Sequence, residues 1–285
     1  GEDGSFQGIL QATGIPYAGC DVLASANGMD KITMKMILRA CNIPVVDYTS
    51  FTDQEWASDP DAVIAQVEKV LSYPVIVKPA DLGSSVGIAR ADNREALAEK
   101  ITEAAKYTTR LIVEHLVEQL KEINCSVLGT SDDYRTSVLE EPIKTGEILS
   151  YTDKYMGGSK GAKGMQASAK RIPAELDEDV TKRIQFLAGE TFRVLSCHGV
   201  SRVDVMIDEK DNSVYVNEIN TIPGSLSFYL WEASGIKFSE LMSQLVSLAL
   251  KRARHQSQKI VSYDQNIFAL GGGTKGAKGA KGIKA

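Results

Sequence analysis

"VSRVDVMIDEKDNSVYVNEINTIPG", residues 200–224, decides the fold. It reads as two β-strands joined by a polar turn, yet its polar side carries Arg202, Asp204, Glu218 and Asn220. Side chains two apart in a strand share a face. Arg202 and Asp204 therefore point one way while Val203, Val205 and Ile207 point the other, and Glu218 and Asn220 share a face in the second strand. If the turn closes around residues 209–213 with Asp208 opposite Val214, then Asp204 falls opposite Glu218 and Arg202 opposite Asn220. Opposed carboxylates repel each other, and a sheet gains nothing from them unless a cation lies between. Oxygen ligands of the Asp, Glu and Asn type suit Mg²⁺, which keeps some waters and completes its shell from phosphates. From the hairpin alone, the alternative is a solvated polar face with an Arg202–Asp204 ion pair.

Upstream residues favour the nucleotide-metal reading. Lys78 ends the apolar strand "VIVKP", where packing explains a lysine poorly and a phosphate explains it well. The small residues of "GSSVG" at 83–87 let backbone N–H groups wrap phosphate oxygens, although the chain has no GxxxxGK[ST] motif. Lys31, after "MD", is a further candidate cation, its alternative being an exposed helix lysine. Glu114, at the end of "LIVE", is a candidate acceptor from an adenine amino group or a ribose, its alternative a plain strand-end charge.

Around these residues the pattern alternates between helices and strands. A short helix is expected near Phe6–Ala12. A second has Met29, Ile32, Met36 and Ile37 on one face and stops at Asn42 and Pro44, and a third has Asp59 as cap and Pro60 in its first turn. "PVIVKPA" and "RLIVEHLV" read as strands separated by the helix "NREALAEKITEAAKY". Beyond Glu122, "INCSVLG" and "RTSVLEEPIK" are strands, with helices expected at about Asp177–Ser196 and Phe238–Arg254. The fold class is α+β, antiparallel sheet with flanking helices. "GGSKGAKGMQ" at 157–166 reads as a mobile functional loop, and the Gly/Lys tail as a disordered end. The tail's GxGxxG is rejected as a dinucleotide fingerprint, because no helix or acidic residue follows it.

Composition limits the classes of function. The 285 residues are 43% hydrophobic and 24% charged, an ordinary globular balance with room for two domains. A net charge of -5 gives no general attraction to nucleic acid. No apolar run approaches the roughly 20 residues that cross a bilayer, and no signal sequence opens the chain, so the expectation is a cytoplasmic protein. The four cysteines form no CxxC or CxxH pair and read as reduced and mostly buried.

In order, "GEDG", "GIPY", "MDK", "VIVKP", "GSSVGI", "DKY", "SRVDVM" and "NEINTIPG" closely resemble the D-alanine:D-alanine ligase family of the ATP-grasp superfamily, over residues 1 to about 250. The resemblance implies an ATP-grasp fold: two α+β subdomains gripping ATP between them, with a remnant of an α/β N-terminal domain. Its boundaries would be a remnant at 1–29, a central subdomain at 30–113, a C-terminal subdomain at 114–255 holding the metal site and a mobile loop at 150–168, and a tail at 256–285. It implies that ATP phosphorylates one D-alanine and that a second attacks the acyl phosphate, giving D-alanyl-D-alanine for peptidoglycan.

By motif, Lys31, Lys78 and Lys154 would hold ATP phosphates. Glu114, His115 and Val117 would form the adenine hinge, and Glu122 would take the ribose. Asp204, Glu218 and Asn220 would bind two Mg²⁺, with Mn²⁺ as a substitute. Arg202 would stabilise the oxyanion, while Ser84 and Tyr155 would orient the first substrate. The partners implied are D-alanine and ATP, with a homodimer compatible with the family and no nucleic acid or membrane.

The sequence departs from the family pattern in three places. The family's further N-terminal segment, with a histidine upstream of "GEDG" and a glutamate for the first substrate's ammonium, is not in this sequence. The "DKY" loop is unusually rich in Gly and Lys. "NTIPGSLSFYLWEASG" is shorter than the commoner form, leaving Ser225 and Ser227 as candidates for gripping the second carboxylate. Tyr155 favours an amine nucleophile over D-lactate. The competing readings are a D-alanine:D-serine ligase, another ATP-grasp carboxylate-amine ligase, and a truncated chain that binds nucleotide without turnover.

Overall fold

A computed structural model describes residues 1–83, 86–143 and 170–260. The expectations for Ser84, Lys154, Tyr155, the Gly/Lys-rich loop and the tail beyond residue 260 lie outside the described residues.

Two antiparallel sheets organise the chain. The first has the order β1-β4-β2-β3, from β1 (Tyr48–Thr52), β2 (Val75–Pro79), β3 (Ala89–Ala91) and β4 (Arg110–His115). The second has the order β7-β6-β5-β8-β9, from β5 (Leu120–Thr130), β6 (Tyr134–Pro142), β7 (Lys170–Arg171), β8 (His198–Asp208) and β9 (Ser213–Asn220). The helices are α1 (Ser5–Ala12), α2 (Val22–Met29), α3 (Lys31–Ala40), α4 (Asp53–Ser58), α5 (Pro60–Val70), α6 (Arg94–Ala104), α7 (Glu178–Val194), α8 (Phe228–Ala233) and α9 (Phe238–Ser257). Helix α5 begins as the sequence indicates, with the Asp59 side chain accepting from the Ala62 N–H at 3.0 Å and Pro60 in the first turn.

Alternation assigns one face of each sheet to a core. In β4, Leu111 and Val113 join Val75 and Val77 beneath Val63, Val67, Leu97 and Ile101 of α5 and α6. Ile112 and Glu114 turn the other way, where Ile112 packs with Ile32 of α3. In the second sheet, Ile123, Cys125, Val203, Val205 and Ile219 pack on Ile184, Leu187 and Phe192 of α7. Ala24 of α2 and Met34 and Leu38 of α3 complete that core.

The structure corrects two readings. The buried face of α3 is Ile32, Met34, Lys35 and Leu38, whereas Met36 is 60% exposed. Hydrophobic spacing alone chose the wrong stripe, because a fully buried lysine lies on the true one. In the hairpin, Asp208 pairs with Ser213, not Val214. The turn is tighter than expected: the Asn212 N–H donates to the Asp208 carbonyl at 2.8 Å, Asn212 takes φ 60°, and the Asp208 and Asp211 side chains accept from the Lys210 and Ser213 N–H groups. Asp204 still lies opposite Glu218 and Arg202 opposite Asn220, because a β-bulge inserts Asn217 between Val216 and Glu218. Helices α2, α4 and α8 and strand β1 were not read from the sequence.

Candidate active site

Two rungs of polar side chains cross the second sheet on the face turned away from α7. Asn124 of β5 pairs with Asp204, which pairs with Glu218, while Ser126 pairs with Arg202, which pairs with Asn220. Arg202 grips Asp204 in a bidentate ion pair, Nε to Oδ1 at 2.7 Å and Nη2 to Oδ2 at 2.8 Å. The Asn220 amide donates to Asp204 Oδ2 at 3.0 Å. The ion pair weighed from the sequence is therefore present, on the same face as the candidate metal ligands.

Burial pushes the Asp204 carboxyl up to about 6 and outweighs Arg202, which works against the rise; Glu218 opposite adds to it. Burial likewise opposes the Arg202 charge, but Asp204 overrides it and raises the guanidinium above its ordinary value. Glu218 is covered from the other side by the Lys31 ammonium at 3.3 Å.

Lys31 reaches this position because "MDK" is a helix junction. Asp30 closes α2 and caps α3, accepting from the Thr33 N–H at 2.7 Å, so Lys31 is the first residue of α3. Its ammonium also donates to the Leu82 carbonyl at 2.8 Å, at the entrance to the Gly/Ser loop.

Lys78 stands on the facing sheet. Its Nζ meets Glu114 Oε2 at 2.7 Å and donates to Asn217, the bulge residue, at 3.4 Å, so the bulge links the two sheets. Lys35, one turn beyond Lys31 and fully buried, lies 3.1 Å from the other Glu114 oxygen, close enough for an ion pair though not aligned as a hydrogen bond. Burial would raise Glu114, but the Lys35 and Lys78 ammoniums prevail and hold it near 2. Burial pushes Lys35 down, against the pull of Glu114. Glu114 is only 1% exposed, with both oxygens turned onto lysines, and His115 is the exposed end of the strand. The sequence reading assigned Lys35 no role, because a fully buried lysine breaks the rule that apolar residues mark the buried face.

Val117 forms a small apolar patch with Val46 and Met206, bordered by Leu120 and Tyr215. Glu122 shares a rung with Met206 and Tyr215 at the edge of this patch. Among the described residues are the kinds of group a purine nucleotide needs: an apolar patch, buried lysines and carboxylates.

After Asn220 the chain enters a rare conformation. Ser225, Leu226 and Ser227 take φ 51°, 54° and 50°, a left-handed turn made of three non-glycine residues. Each such residue costs about 1–2 kcal/mol, and strain of this kind gathers at ligand sites. Ser225 is exposed, whereas Ser227 is buried and its hydroxyl has no hydrogen-bond partner among the described residues. The "GEDG" segment touches the same loop, because Glu2 accepts from the Ile222 N–H at 2.8 Å.

Among the described residues, no three His, Cys, Asp or Glu side chains form a ready-made metal cluster. Asp204, Glu218 and Asn220 fit a divalent ion as part of a shell: their hard oxygens share one face, and the Asp204 and Glu218 carboxylates stand directly opposite each other.

A profile of the D-ala D-ala ligase C-terminus matches residues 37–247. The chain is 39% identical over 270 residues to the D-alanine–D-alanine ligase of Thermosipho africanus, covering 95% of this chain and 71% of that protein. This chain belongs to the D-alanine–D-alanine ligase family. The ligase of Natranaerobius thermophilus is 43% identical, with coverage of 93% and 71%. Among solved structures, the D-alanine-D-alanine ligase from Coxiella burnetii superposes with a TM-score of 0.76 at 32% identity, covering 90% of this chain and 67% of that one. The VanG D-Ala:D-Ser ligase from Enterococcus faecalis superposes at 0.75, also at 32% identity, with coverage of 87% and 69%. The two facing α+β sheets are thus the ATP-grasp fold of this ligase family.

Proposed function

We propose that this protein joins two D-alanines to form D-alanyl-D-alanine, using ATP and passing through an acyl phosphate. The observation that carries this reading is the convergence of Lys31, Lys78 and the Arg202–Asp204–Glu218–Asn220 face on one cleft, in a chain of this ligase family. ATP and a divalent metal follow from the family, and we assign two ions, Mg²⁺ or Mn²⁺, to Asp204, Glu218 and Asn220. A bound divalent ion neutralises phosphate charge and aligns the transferring phosphoryl group.

The chain's own groups do the rest. Val46, Val117 and Met206 bed the adenine, with the hinge backbone from Glu114 to Val117 at its edge and Glu122 at the ribose. Lys78, anchored by Glu114, and Lys31 hold phosphates. Lys35 fixes Glu114 and through it Lys78. Arg202 presents fixed positive charge to the oxyanion that forms when the amine attacks, where preorganised charge lowers the barrier most. The left-handed turn bearing Ser225 and Ser227 holds the second carboxylate. Ser84, Lys154 and Tyr155 act from the segments outside the described residues, Lys154 on the phosphates and the other two on the first substrate. Excluding water there protects the acyl phosphate from hydrolysis.

We also propose the division at residues 1–29, 30–113, 114–255 and 256–285, a cytoplasmic location and a homodimer. No described helix is long and apolar enough to cross a membrane. The test is phosphate release from ATP and Mg²⁺ with D-alanine alone, and with D-serine or D-lactate added. Release with D-alanine alone, matched by dipeptide, is expected; nucleotide binding without release would support the inactive reading instead.

A further inference from the structure

Resting on the ligase reading, the geometry points to Tyr229 and Glu140 as the relay that takes the proton from the attacking amine. The rung through Asp204 and Glu218 does not end at Asn124. It continues to Glu140 of β6, so that Glu140, Asn124, Asp204 and Glu218 lie side by side across four strands. Glu140 is 4% exposed, although nothing assigned to ATP or metal binding uses it. One of its oxygens, Oε2, accepts from the Tyr229 hydroxyl at 2.8 Å and from the Asn124 amide at 3.1 Å. The other oxygen faces the Lys170 ammonium at 3.8 Å. That ammonium also lies 3.5 Å from the centre of the Tyr229 ring.

Tyr229 sits in the first turn of α8, two residues beyond the left-handed turn, and its phenol is near enough to Arg202 for the two to interact electrostatically. One phenol therefore bonds a buried carboxylate and lies in the field of the residue proposed to hold the developing oxyanion.

The reaction needs such a group. An amino acid arrives as an ammonium, which has no lone pair with which to attack. One proton must leave before the N–C bond forms and the C–O bond to phosphate breaks; a second leaves as the tetrahedral intermediate collapses, and the phosphate oxygen takes it. The first proton passes to the Tyr229 oxygen as the tyrosine's own proton moves to Glu140 Oε2, so no net charge appears on the ring. Burial, and next the hydrogen bond to Glu140, hold the phenol well above its ordinary value, which keeps Tyr229 a carrier and never the final base. The charged groups facing Glu140 are Lys170 from β7 and Arg202 from β8, with Asp204 beyond Asn124 on the same rung; Glu141, the next residue of β6, is paired with Arg171.

The test compares two nucleophiles. Hydroxylamine is already uncharged at neutral pH and traps an acyl phosphate as a hydroxamate without needing a base. With ATP, Mg²⁺ and D-alanine at neutral pH, Glu140→Gln and Tyr229→Phe should each lower dipeptide formation by about 10²–10⁴-fold, the scale of a general base, while hydroxamate formation with added hydroxylamine falls less than about tenfold. The dipeptide rate of both variants should climb with pH as free amine accumulates in solution, more steeply than in the unaltered protein. Dipeptide formation close to the unaltered rate in both variants, or equal loss of dipeptide and hydroxamate from folded variants, would overturn the relay. Failure of the unaltered protein to form either product would overturn the ligase reading itself.

Discussion

Lys78 on β2 and Glu114 on β4 meet at 2.7 Å inside the cleft, and the other Glu114 oxygen lies 3.1 Å from Lys35 of α3. One buried carboxylate therefore sets the position of the cation proposed to bind phosphate and ties α3 to the first sheet. Replacing Glu114 by Gln strands two buried ammoniums, and breaking such a set costs about 3–5 kcal/mol. The pH dependence has a definite sign. Folding lowers Glu114 from 4.5 to about 2, so its contribution is complete above about 4.5 and fades as the pH falls towards 2. Urea unfolding at pH 7 should show the full difference between Glu114→Gln and the unaltered protein, and at pH 3 a smaller one. An equal difference at both values would mean that the carboxylate charge is not what matters.

Arg202 is expected to act on kcat. Removing an oxyanion partner costs about 10²-fold or more, so Arg202→Ala should lose at least that in steady-state dipeptide formation, with KM for ATP little changed. Arg202→Lys keeps a charge but cannot reproduce the bidentate contact to Asp204, and should fall between the two. A change confined to KM would remove Arg202 from the transition state.

Helix α2 touches the end of β9, which carries the proposed metal ligands, through Gly28. A Cβ at Gly28 would lie 2.9 Å from Thr221 Cγ2 and 3.1 Å from Ile219 Cγ2. Gly28→Leu should push against the end of β9, destabilise the protein by about 1–3 kcal/mol as overpacking does, and weaken Mg²⁺-dependent ATP binding as Glu218 and Asn220 shift. Thermal unfolding and ATP titration would check both effects.

The sequence revealed the site where chemistry and periodicity spoke together. Asp204, Glu218, Arg202 and Asn220 emerged from strand alternation, and their register survived an error at the hairpin tip because the Asn217 bulge absorbs the extra residue. Lys35 stayed hidden because a fully buried lysine breaks the rule that apolar residues mark the buried face. Glu140 stayed hidden for a different reason. Its own hairpin pairs it only with Asn124, whereas the acidic residues of the rung, Asp204 and Glu218, come from strands much later in the chain. The left-handed turn at Ser225–Ser227 has no glycine or asparagine to announce it. The reading of the Glu114 carboxylate as an acceptor from an adenine amino group or a ribose followed the strand's apparent end, whereas the side chain turns inward to two lysines from other segments.

The central claim is that the carboxylates of β8 and β9 hold divalent ions beneath the triphosphate, and Glu218→Gln tests it most directly. ATP binding measured by calorimetry with and without Mg²⁺, alongside D-alanine-dependent dipeptide formation, should show that the variant folds normally, binds ATP without a Mg²⁺ enhancement and makes no dipeptide. A variant whose ATP affinity still rises with Mg²⁺ as in the unaltered protein, and which still joins D-alanine, would contradict it.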